Sequence, residues 1–419
     1  MEIRKPKGTN DILPEEIGRW HYLENVLRKK SEIYGYREIR TPLFEHTELF
    51  VRGVGETTDI VGKEMYTFMD KGDRSITLRP EGTASVCRAY LENKMYGDGN
   101  IRKLYYMGPM FRYERPQKGR YKQFNQFGVE FLGTNEAISD ADVIKFAVFV
   151  LEEIGLKDLE LHINSVGCPS CKPIYKKALI EYFEDKKDKL CNSCLDRLEK
   201  NPLRILDCKN ESCKELTEKA PIMTEYLCQE CSPHYENVKR FLEISDIKYI
   251  ENPRLVRGLD YYTNTAFEII AKDFAAQGTV CGGGRYNGLV SLIGDRDVPG
   301  IGFAMGIERI LLLLEEKKIN IDSDITLDYY IIGMGDKAEE LAFKILNLLR
   351  EKSYYAEIDY QGKSFKNRIK TADKLNAKYL IIIGDNELEK NTIIIKDMNV
   401  GTQEEKDLTI FMNNLKGEQ

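Results

Sequence analysis

The chain has 419 residues and a formal net charge of −6, with 42% apolar and 31% charged residues. This composition is typical of a globular protein of two or three domains, and it excludes fibrous and disordered classes. The acidic balance argues against non-specific binding of nucleic acid, although local basic patches can still bind RNA. Neither an apolar signal sequence nor a run of ~18 apolar residues is present, so we expect a cytoplasmic protein without a membrane span.

The first part of the chain alternates helices and strands. The spacing of apolar residues predicts a helix over Pro14–Tyr34 and then an extended segment over Tyr36–Phe44. Further strands and a helix follow at Met65–Met69, Ile76–Leu78, Lys103–Phe111, Gln123–Phe131 and Ser139–Ile154. Strand-like segments resume near Lys248 and continue through Thr265–Ile270, Thr279–Gly284 and the helix Met305–Leu314. This pattern predicts an α+β domain over residues 1–325, built on an antiparallel sheet flanked by helices.

A second, smaller domain is expected after a polar linker at Lys317–Thr326. Its strands are predicted at Tyr329–Met334, Tyr355–Asp359, Tyr379–Gly384 and Thr392–Asp397, and its helices at Asp336–Lys352 and Phe365–Leu375. Alternation of strands and helices on this scale predicts an α/β domain over residues 326–419.

Four segments concentrate charged residues and glycine. They are LRPEGTAS at Leu78–Ser85, FRYERPQKGRYKQFNQFGVE at Phe111–Glu130, the pair LVRGLDYY at Leu255–Tyr262 and GGGRYNGL at Gly282–Leu289, and GIGFAMGIER at Gly300–Arg309. If the two arms of the second segment pair, Arg112, Glu114, Gln126 and Glu130 project toward one face. Each segment alone is explained by an ion pair or by tight packing. Together they favour a triphosphate site, since guanidinium groups bind phosphate oxygens bidentately and glycine admits a nucleotide closely.

These segments resemble those of class II aminoacyl-tRNA synthetases. Tyr34–Phe44, Phe111–Phe124 and Gly300–Arg309 resemble the three motifs of that class, and LVRGLDYY and GGGRYNGL resemble two signature peptides of the histidyl-tRNA synthetase family. The likeness covers essentially the whole chain, in the family's order. It implies a ligase that activates L-histidine with ATP and Mg²⁺ and loads tRNA(His). It also implies a homodimer formed through a long motif-one strand, and a C-terminal anticodon-binding domain.

The resemblance also implies roles for individual residues at an ATP site. Arg112 holds the α-phosphate, while Arg309 and Arg120 bind the rest of the triphosphate. Phe124 stacks on the adenine ring, and Glu114 bonds the adenine amino group.

Other residues are implied to bind histidine and tRNA. The histidine contacts are Glu81, Thr83 and Gln126 for the α-amino group, Glu130, Tyr261 and Tyr262 for the ring, and the catalytic cations Arg112 and Arg257 for the reacting carboxylate. Arg115 and Gln117 reach the tRNA acceptor end. Asn125 and Asn287 differ from the residues usual in the family, but neither has an assigned role.

Eight of the ten cysteines lie in an insertion over residues 168–240 that is charged and predicted to be mainly helical. They form four pairs: Cys168 and Cys171, Cys191 and Cys194, Cys208 and Cys213, and Cys228 and Cys231. Such a pair presents two thiolates to one tetrahedral Zn²⁺, so the four pairs could form one or two four-cysteine zinc sites. The alternative is a set of buried, reduced cysteines without metal. Cys87 and Cys281 are expected to be ordinary core residues.

Two other classes of function compete with this hypothesis. A non-catalytic relative, such as the regulatory subunit of ATP phosphoribosyltransferase or a sensor of uncharged tRNA, typically loses the motif arginines. The presence of Arg112, Arg257 and Arg309 favours an enzyme instead. A class II synthetase for proline, threonine or glycine is the other rival, and the two signature peptides argue against it.

The C-terminal domain contains two sequences that resemble nucleotide-binding motifs. Gly362-Lys363-Ser364 ends like a P-loop, but Glu357 stands where the first glycine is required. Gly333-Met334-Gly335 resembles a dinucleotide fingerprint between a strand and a helix. The resemblance implies anticodon binding instead, with a basic edge formed by Lys363, Lys366, Arg368 and Lys370. The alternative for these four residues is a solvated helix face.

Overall fold

The computed structural model describes residues 2–55, 58–272, 278–319, 321 and 326–416. The chain divides into two compact units, residues 1–322 and 323–419. The predicted end of the first domain, at residue 325, and part of the predicted linker lie outside the described residues. Within the described ranges, no helix is both long enough and apolar enough to cross a membrane.

The part of the first unit before the insertion alternates helices and strands. In chain order these are α1 (Pro14–Ile33), β1 (Arg37–Glu38), β2 (Phe44–His46), α2 (Thr47–Val54), β3 (Tyr66–Met69), β4 (Ser75–Leu78), α3 (Thr83–Glu92), β5 (Arg102–Phe111), β6 (Gln123–Leu132), α4 (Ala137–Glu153) and β7 (Leu159–Ser165). The two helices predicted here are confirmed to within two residues. Strand β7 was missed, although Leu159, Leu161 and Ile163 alternate as a half-buried strand requires.

The insertion and the rest of the first unit complete this fold. The insertion forms α5 (Cys171–Glu184), α6 (Asn192–Lys200), α7 (Glu211–Glu218) and α8 (Cys231–Ile244). After it come β8 (Ile250–Glu251), β9 (Thr263–Ala271), β10 (Thr279–Arg285), α9 (Leu289–Ile293), β11 (Gly300–Gly306) and α10 (Ile307–Glu316). Single helical turns lie at Ile60–Glu64, Lys187–Lys189, Pro202–Ile205 and Met223–Tyr226.

Eight of these strands form one sheet, in the order β1–β5–β6–β11–β10–β9–β7–β8. The outer pairs, β1 with β5 and β7 with β8, are parallel, and all the inner pairs are antiparallel. The adjacent residues Tyr105 and Tyr106 belong to different cores, because successive strand residues face opposite sides of a sheet. Helices α1, α4 and α10 share the core of Tyr105. The predicted α+β fold with a flanked antiparallel sheet is confirmed.

The extended segment predicted over Tyr36–Phe44 is wrong in its length. Strand β1 joins the edge of the large sheet, whereas β2 joins a separate three-stranded sheet, in the order β2–β4–β3. Between the two strands, Pro42 has no N–H group to donate to a neighbouring strand. Thr41 instead accepts bonds from Arg79 Nη1 through its carbonyl and hydroxyl oxygens, at 3.1 and 3.0 Å. The single long motif-one strand implied by the resemblance is therefore absent from this segment.

A buried ion pair joins three elements of the first unit. Arg285, at the end of β10, is fully buried and donates through Nε to both oxygens of Asp140 in α4, at 3.2 and 3.1 Å. Asp140 also lies 3.3 Å from Nε2 of His234 in α8. Burial opposes ionisation of Asp140, but the charge of Arg285 lowers the pKa of Asp140 below its ordinary value. Arg285, from GGGRYNGL, thus stabilises the fold.

The insertion has a small core of its own, which includes Tyr175, Leu179, Phe183 and four cysteines. Its last helix is shared with the rest of the unit, because Tyr235, Val238 and Leu242 of α8 pack in the core beneath the large sheet. The helical, cysteine-rich character predicted for the insertion is confirmed.

The second unit is a separate α/β fold, as predicted. Its elements are β12 (Tyr329–Gly333), α11 (Asp336–Glu351), β13 (Ala356–Ile358), α12 (Phe365–Lys374), β14 (Tyr379–Ile383), α13 (Asp385–Lys390), β15 (Thr392–Asp397), β16 (Gln403–Asp407) and α14 (Leu408–Lys416). Its sheet has the order β13–β12–β14–β15–β16, and the first three strands are parallel. Strand β16 escaped the sequence prediction because its five residues are polar and exposed. It is held by its backbone pairing with β15.

The basic edge predicted in this unit is wrong for Arg368. The side chain of Arg368 is buried, and it donates to the carbonyl oxygens of Gly333 and Lys363 at 2.6 and 2.7 Å. It also pairs with Asp359 at 3.1 Å. A Cβ on Gly333 would lie 2.5 Å from the carbonyl oxygen of Ala338, so this glycine is needed for helix–strand packing. Lys366 and Lys370 are exposed.

We expect Arg285→Met to lower the free energy of unfolding of the first unit by about 3–5 kcal/mol, because Asp140 keeps a buried charge without its cation. Urea denaturation followed by fluorescence of Trp20, which lies in the core beneath the sheet, measures this loss. The matched control is the double variant Arg285→Met with Asp140→Leu, which removes both charges and should recover at least half of the loss. Equal losses in the two variants would show that the ion pair is not the cause.

Candidate active site

A cavity of about 240 Å³ lies on the Tyr106 side of the large sheet. Its walls are formed by β5, β6, β10 and β11, the starts of α3 and α10, and the segment 257–262 that precedes β9. It is lined by all twelve residues that the resemblance implies for ATP or histidine: Glu81, Thr83, Arg112, Glu114, Arg120, Phe124, Gln126, Glu130, Arg257, Tyr261, Tyr262 and Arg309. Segments that are far apart in the sequence therefore meet at one site.

The β5–β6 hairpin brings the second charged segment to this cavity. The two strands do pair, from Phe111 opposite Gln123 to Arg102 opposite Leu132, which meets the condition that the sequence left open. Gln126 and Glu130 reach the cavity because alternate residues of β6 share a face. Arg112 follows the end of β5, and its Nε donates to the carbonyl of Pro80 at 2.8 Å. The guanidinium carbon of Arg112 lies 5.4 Å from the centre of the Phe124 ring, within the range of a cation–π interaction.

One end of the cavity is cationic. Glu114 lies between Arg112 and Arg120, at 3.7 Å from the first and 3.1 Å from the second. Arg309 lies in the first turn of α10, where the helix dipole is positive. Burial, and then the positive charge of Arg120, lower the pKa of Arg309. This gathering of like charges favours the binding of an anion.

Arg257 lies flat against β10 and is paired with an acidic residue that the sequence prediction missed. It bonds Glu268 of β9, which also accepts from the Thr279 hydroxyl at 3.1 Å. A Cβ on Gly282 would lie 2.5 Å from a guanidinium nitrogen of Arg257, so a side chain there would displace Arg257 from this position. Burial opposes the charge of Arg257, but Glu268 raises the pKa of Arg257 above its ordinary value. Arg257 is therefore held as a cation inside the cavity.

The opposite end of the cavity holds a buried carboxyl group among phenols. Glu130 of β6 is 1% exposed and accepts a hydrogen bond from the hydroxyl of Tyr286. Tyr286 was also missed, although it belongs to the GGGRYNGL peptide. A Cβ on Gly302 would lie 2.3 Å from a Glu130 oxygen. Burial raises the pKa of Glu130 to about 8, against hydrogen bonds that lower it.

The residues implied to bind an α-amino group adjoin this carboxyl group. Glu81 accepts from the backbone N–H groups of Thr83 and Ala84, at 2.7 and 2.8 Å, and so caps the start of α3. Burial raises the pKa of Glu81. The side-chain oxygen of Gln126 is buried and has no hydrogen-bond partner among the described residues. Such an acceptor is suited to a donor on a ligand.

The remaining sequence-predicted residues lie outside the cavity lining. Arg115 and Gln117 are exposed in the loop between β5 and β6, where Gln117 and Arg120 form a short backbone bridge. Asn125 donates to Glu308, with its backbone N–H at 2.7 Å from the carboxylate. Asn287 donates to Asn135 at 2.7 Å, beside the Arg285 network. The two departures from the family's usual residues are thus accommodated by local hydrogen bonds.

The eight paired cysteines lie apart from this cavity in two groups of four. Each group could hold a metal ion. Cys87 and Cys281 are buried singly, as predicted for core residues, although Cys281 also lines the cavity.

The fold and the site together define a class II aminoacyl-tRNA synthetase: an antiparallel sheet carries a cluster of arginines beside an enclosed polar pocket. The family model described as Histidyl-tRNA synthetase matches residues 8–310, and the one described as Anticodon binding domain matches residues 328–418. The chain therefore belongs to the histidyl-tRNA synthetase family.

Individual relatives agree with this assignment. The chain is 53% identical to a histidine–tRNA ligase of Halothermothrix orenii, over 97% of each chain. It is similar to the crystal structure of apo S. aureus histidyl-tRNA synthetase, with a TM-score of 0.84 and 45% identity over 99% of this chain and 100% of that one. It also shares its fold, at a TM-score of 0.64 and 20% identity, with a Bacillus halodurans chain described as an ATP phosphoribosyltransferase regulatory subunit/histidyl-tRNA synthetase, over 91% and 98% of the two chains. Likeness at that identity shows the fold alone.

We expect Glu130→Gln to change how stability depends on pH. The raised pKa means that the folded state keeps a proton that the unfolded chain releases above its ordinary pKa of 4.5. The contribution of Glu130 to stability is therefore complete below pH 4.5 and is lost as the pH rises toward 8. Between pH 5 and pH 8, the free energy of unfolding of the wild type should fall by on the order of 3 kcal/mol more than that of the variant. Urea denaturation followed by Trp20 fluorescence measures both values. If the free energy of unfolding changed with pH in the same way in the wild type and the variant, the raised pKa of Glu130 would be contradicted.

Proposed function

We propose that the chain activates L-histidine with ATP and then transfers the histidyl group to the 3′ end of tRNA(His). The observation that carries this proposal is one cavity that joins four arginines to a pocket with a buried carboxyl group and phenols. The arginines suit the phosphates of ATP. The carboxyl group and the phenols can bond both nitrogens of an imidazole ring.

In the first step, an oxygen of the histidine carboxylate forms a bond to the α-phosphorus of ATP. The bond from that phosphorus to the bridging oxygen of the β-phosphate breaks, and pyrophosphate leaves with the electron pair. We place Arg112 and Arg257 beside the α-phosphate, where preorganised positive charge stabilises the transition state. Arg120 and Arg309 hold the leaving pyrophosphate.

In the second step, a ribose hydroxyl at the tRNA 3′ end forms an ester bond to the histidyl carbonyl carbon. The hydroxyl releases its proton to solvent, the bond from that carbon to the phosphate oxygen breaks, and AMP leaves with the electron pair of that bond. We assign Arg115 and Gln117 to this end of the tRNA, and their exposure in the loop between β5 and β6 supports that role.

The family implies that ATP is used with Mg²⁺, which prefers phosphate oxygens together with one or two carboxylates. Glu114 lines the cavity beside the arginines, and Glu268 lies next to it as the partner of Arg257, so the donor set fits this ion. Bound Mg²⁺ would neutralise part of the phosphate charge.

The predicted homodimer and cytoplasmic location stay predictions. Exposed apolar side chains at Leu43, Phe44, Phe68 and Met69 support a protein contact near β2 and β3.

A non-catalytic role is the competing proposal. It is disfavoured because Arg112, Arg257 and Arg309 all line the cavity, and a regulatory relative has no need to keep three charges at a phosphate site. The observation that would favour it is histidine binding without ATP turnover.

Exchange of pyrophosphate into ATP should depend on histidine, and Arg257→Ala should lower its maximal rate by about 10²–10³-fold with little change in the KM for histidine. The physical reason is that Arg257 offers its charge to the transition state. Arg74→Ala is the matched control, because Arg74 is an exposed arginine paired with Asp70. Exchange with another amino acid alone would overturn the proposed substrate. A raised KM with an unchanged maximal rate would overturn the role of Arg257.

Arg115→Ala and Gln117→Ala should separate the two steps. We expect histidine-dependent exchange to stay within about twofold of wild type, while the KM for tRNA(His) in aminoacylation rises about tenfold, since each lost contact is worth about 1.4 kcal/mol. Steady-state aminoacylation and exchange assays on the same preparations make the comparison. Equal loss in both assays would place these residues at the ATP or histidine site instead.

A further inference from the structure

The eight paired cysteines of the insertion are grouped in a nested order. The first pair, Cys168 and Cys171, lies with the last pair, Cys228 and Cys231, and we call this group centre one. The two middle pairs form centre two, with members Cys191, Cys194, Cys208 and Cys213. In each centre, the four sulfur atoms lie within 4.8 Å of one another. The sequence allowed either one or two four-cysteine sites, and in the structure the cysteines form two separate groups.

The spacing of the sulfur atoms matches a tetrahedron around one ion. Zinc–sulfur bonds of about 2.3 Å place the sulfurs of a tetrahedral site about 3.8 Å apart. In centre one, Cys168 Sγ is 3.5 Å from Cys171 Sγ and 3.9 Å from Cys228 Sγ. In centre two, Cys191 Sγ is 3.8 Å from Cys208 Sγ. All ten cysteines are free of disulfides.

Backbone groups also point at these sulfurs in both centres. The N–H of Cys228 donates to Cys171 Sγ at 3.1 Å, and the N–H of Cys191 donates to Cys213 Sγ at 3.3 Å. Hydrogen bonds of this kind orient a ligating side chain and are typical of the surroundings of a metal site. Ordinary core cysteines do not explain this convergence, because Cys87 and Cys281 lie singly among apolar residues.

The insertion also needs a cross-link of this kind. Four of the residues in its small core are cysteines, and an apolar core of that size is seldom enough to hold a separate unit together. A zinc ion at centre one would join the two ends of the insertion. A second ion at centre two would join α6 to the start of α7.

We propose that each centre binds one structural zinc ion, so that the full chain carries two. Four thiolates leave no open position for water, which is the pattern of structural rather than catalytic zinc. An iron–sulfur cluster places several metal atoms between its cysteines and would hold the sulfurs farther apart. The structure therefore favours single ions.

The stoichiometry of the full chain tests this proposal without any assay of activity. Native mass spectrometry and elemental analysis of reduced protein, purified without chelator or metal affinity, should find two zinc ions per chain. A mercurial thiol reagent should release one zinc for every four insertion thiols that it modifies. One zinc per eight thiols, bound iron, or no metal would each overturn the proposal.

Paired substitutions test the grouping itself. Cys168→Ser with Cys228→Ser and Cys191→Ser with Cys208→Ser each disrupt one centre, so each variant should retain one zinc. Cys168→Ser with Cys191→Ser disrupts both centres and should retain none. Retention of one zinc by this last variant would show that the pairs are grouped differently. If a variant fails to fold, the number of zinc ions per chain in the wild type, and the zinc released per modified thiol, decide the question.

A different contact supports a second inference, which rests on the proposed function because it takes Tyr262 as a histidine contact. Lys172 directly follows Cys171 in α5, and its Nζ donates to the carbonyl oxygen of Tyr262 at 2.6 Å. We infer that Lys172 is a positioning residue, through which centre one fixes the backbone of the histidine pocket.

Lys172→Met should raise the KM for histidine about tenfold, while the KM for ATP and the two bound zinc ions are unchanged. Lys172→Arg should restore most of the affinity, because it can donate to the same carbonyl. Lys177→Met is the matched control, since Lys177 is an exposed lysine of the same helix. Equal changes in both KM values, or no change, would overturn the positioning role. Absence of histidine-dependent exchange in wild type would instead overturn the proposed function and leave the zinc result standing.

Discussion

The site depends on the absence of side chains at two positions in the middle of the sheet. Gly282 on β10 and Gly302 on β11 leave room for the guanidinium group of Arg257 and the carboxyl group of Glu130 to lie directly on the strands. Any Cβ at these positions would overlap the charged groups. These two glycines lie on neighbouring strands, so β10 and β11 together leave space for both charged groups. Glycine in the interior of a strand often marks a place where a ligand or another part of the chain approaches closely.

The burial of several ionisable groups in one cavity is costly, and the structure offsets that cost differently at each end. Glu268 neutralises Arg257, and Glu114 lies between Arg112 and Arg120. At the other end, Glu130 keeps a proton at neutral pH and accepts a bond from Tyr286. The cavity is thus cationic where phosphates would lie and close to neutral where an imidazole would lie. A site with its charges held in place before binding loses little energy in reorganisation during the reaction.

The insertion contributes to the same site from outside the cavity. Its first helix bonds the backbone of Tyr262, and its last helix shares the core beneath the sheet. His234 of that last helix also reaches the buried pair of Asp140 and Arg285. The insertion lies between strands of the large sheet in the sequence, and these contacts join it both to the histidine pocket and to the core beneath the sheet. Its own cohesion depends on cysteines, because its apolar core is small.

Much of the fold and of the site could be predicted from residue types and their order. The hairpin of Phe111–Glu130, the helix after Gly306 and the α/β alternation after residue 326 are local patterns, and the structure confirms them. The twelve residues implied for ATP and histidine do meet in one cavity. The errors arose where local patterns were weak or misleading: β16 is polar throughout, and Arg368 looks like a surface charge although it caps buried carbonyl groups.

The sequence by itself determined the domain order and the presence of eight paired cysteines, because these follow from residue types and spacing. The class of reaction was implied by the resemblance of its motifs to those of a known family. Only the tertiary structure decided that Tyr286 lines the cavity, that Glu268 pairs with Arg257 and that Arg285 stabilises the core. It also decided which cysteine pairs lie together. These features depend on which strands and helices become neighbours. Such contacts join residues far apart in the chain, and no local pattern of residues encodes them.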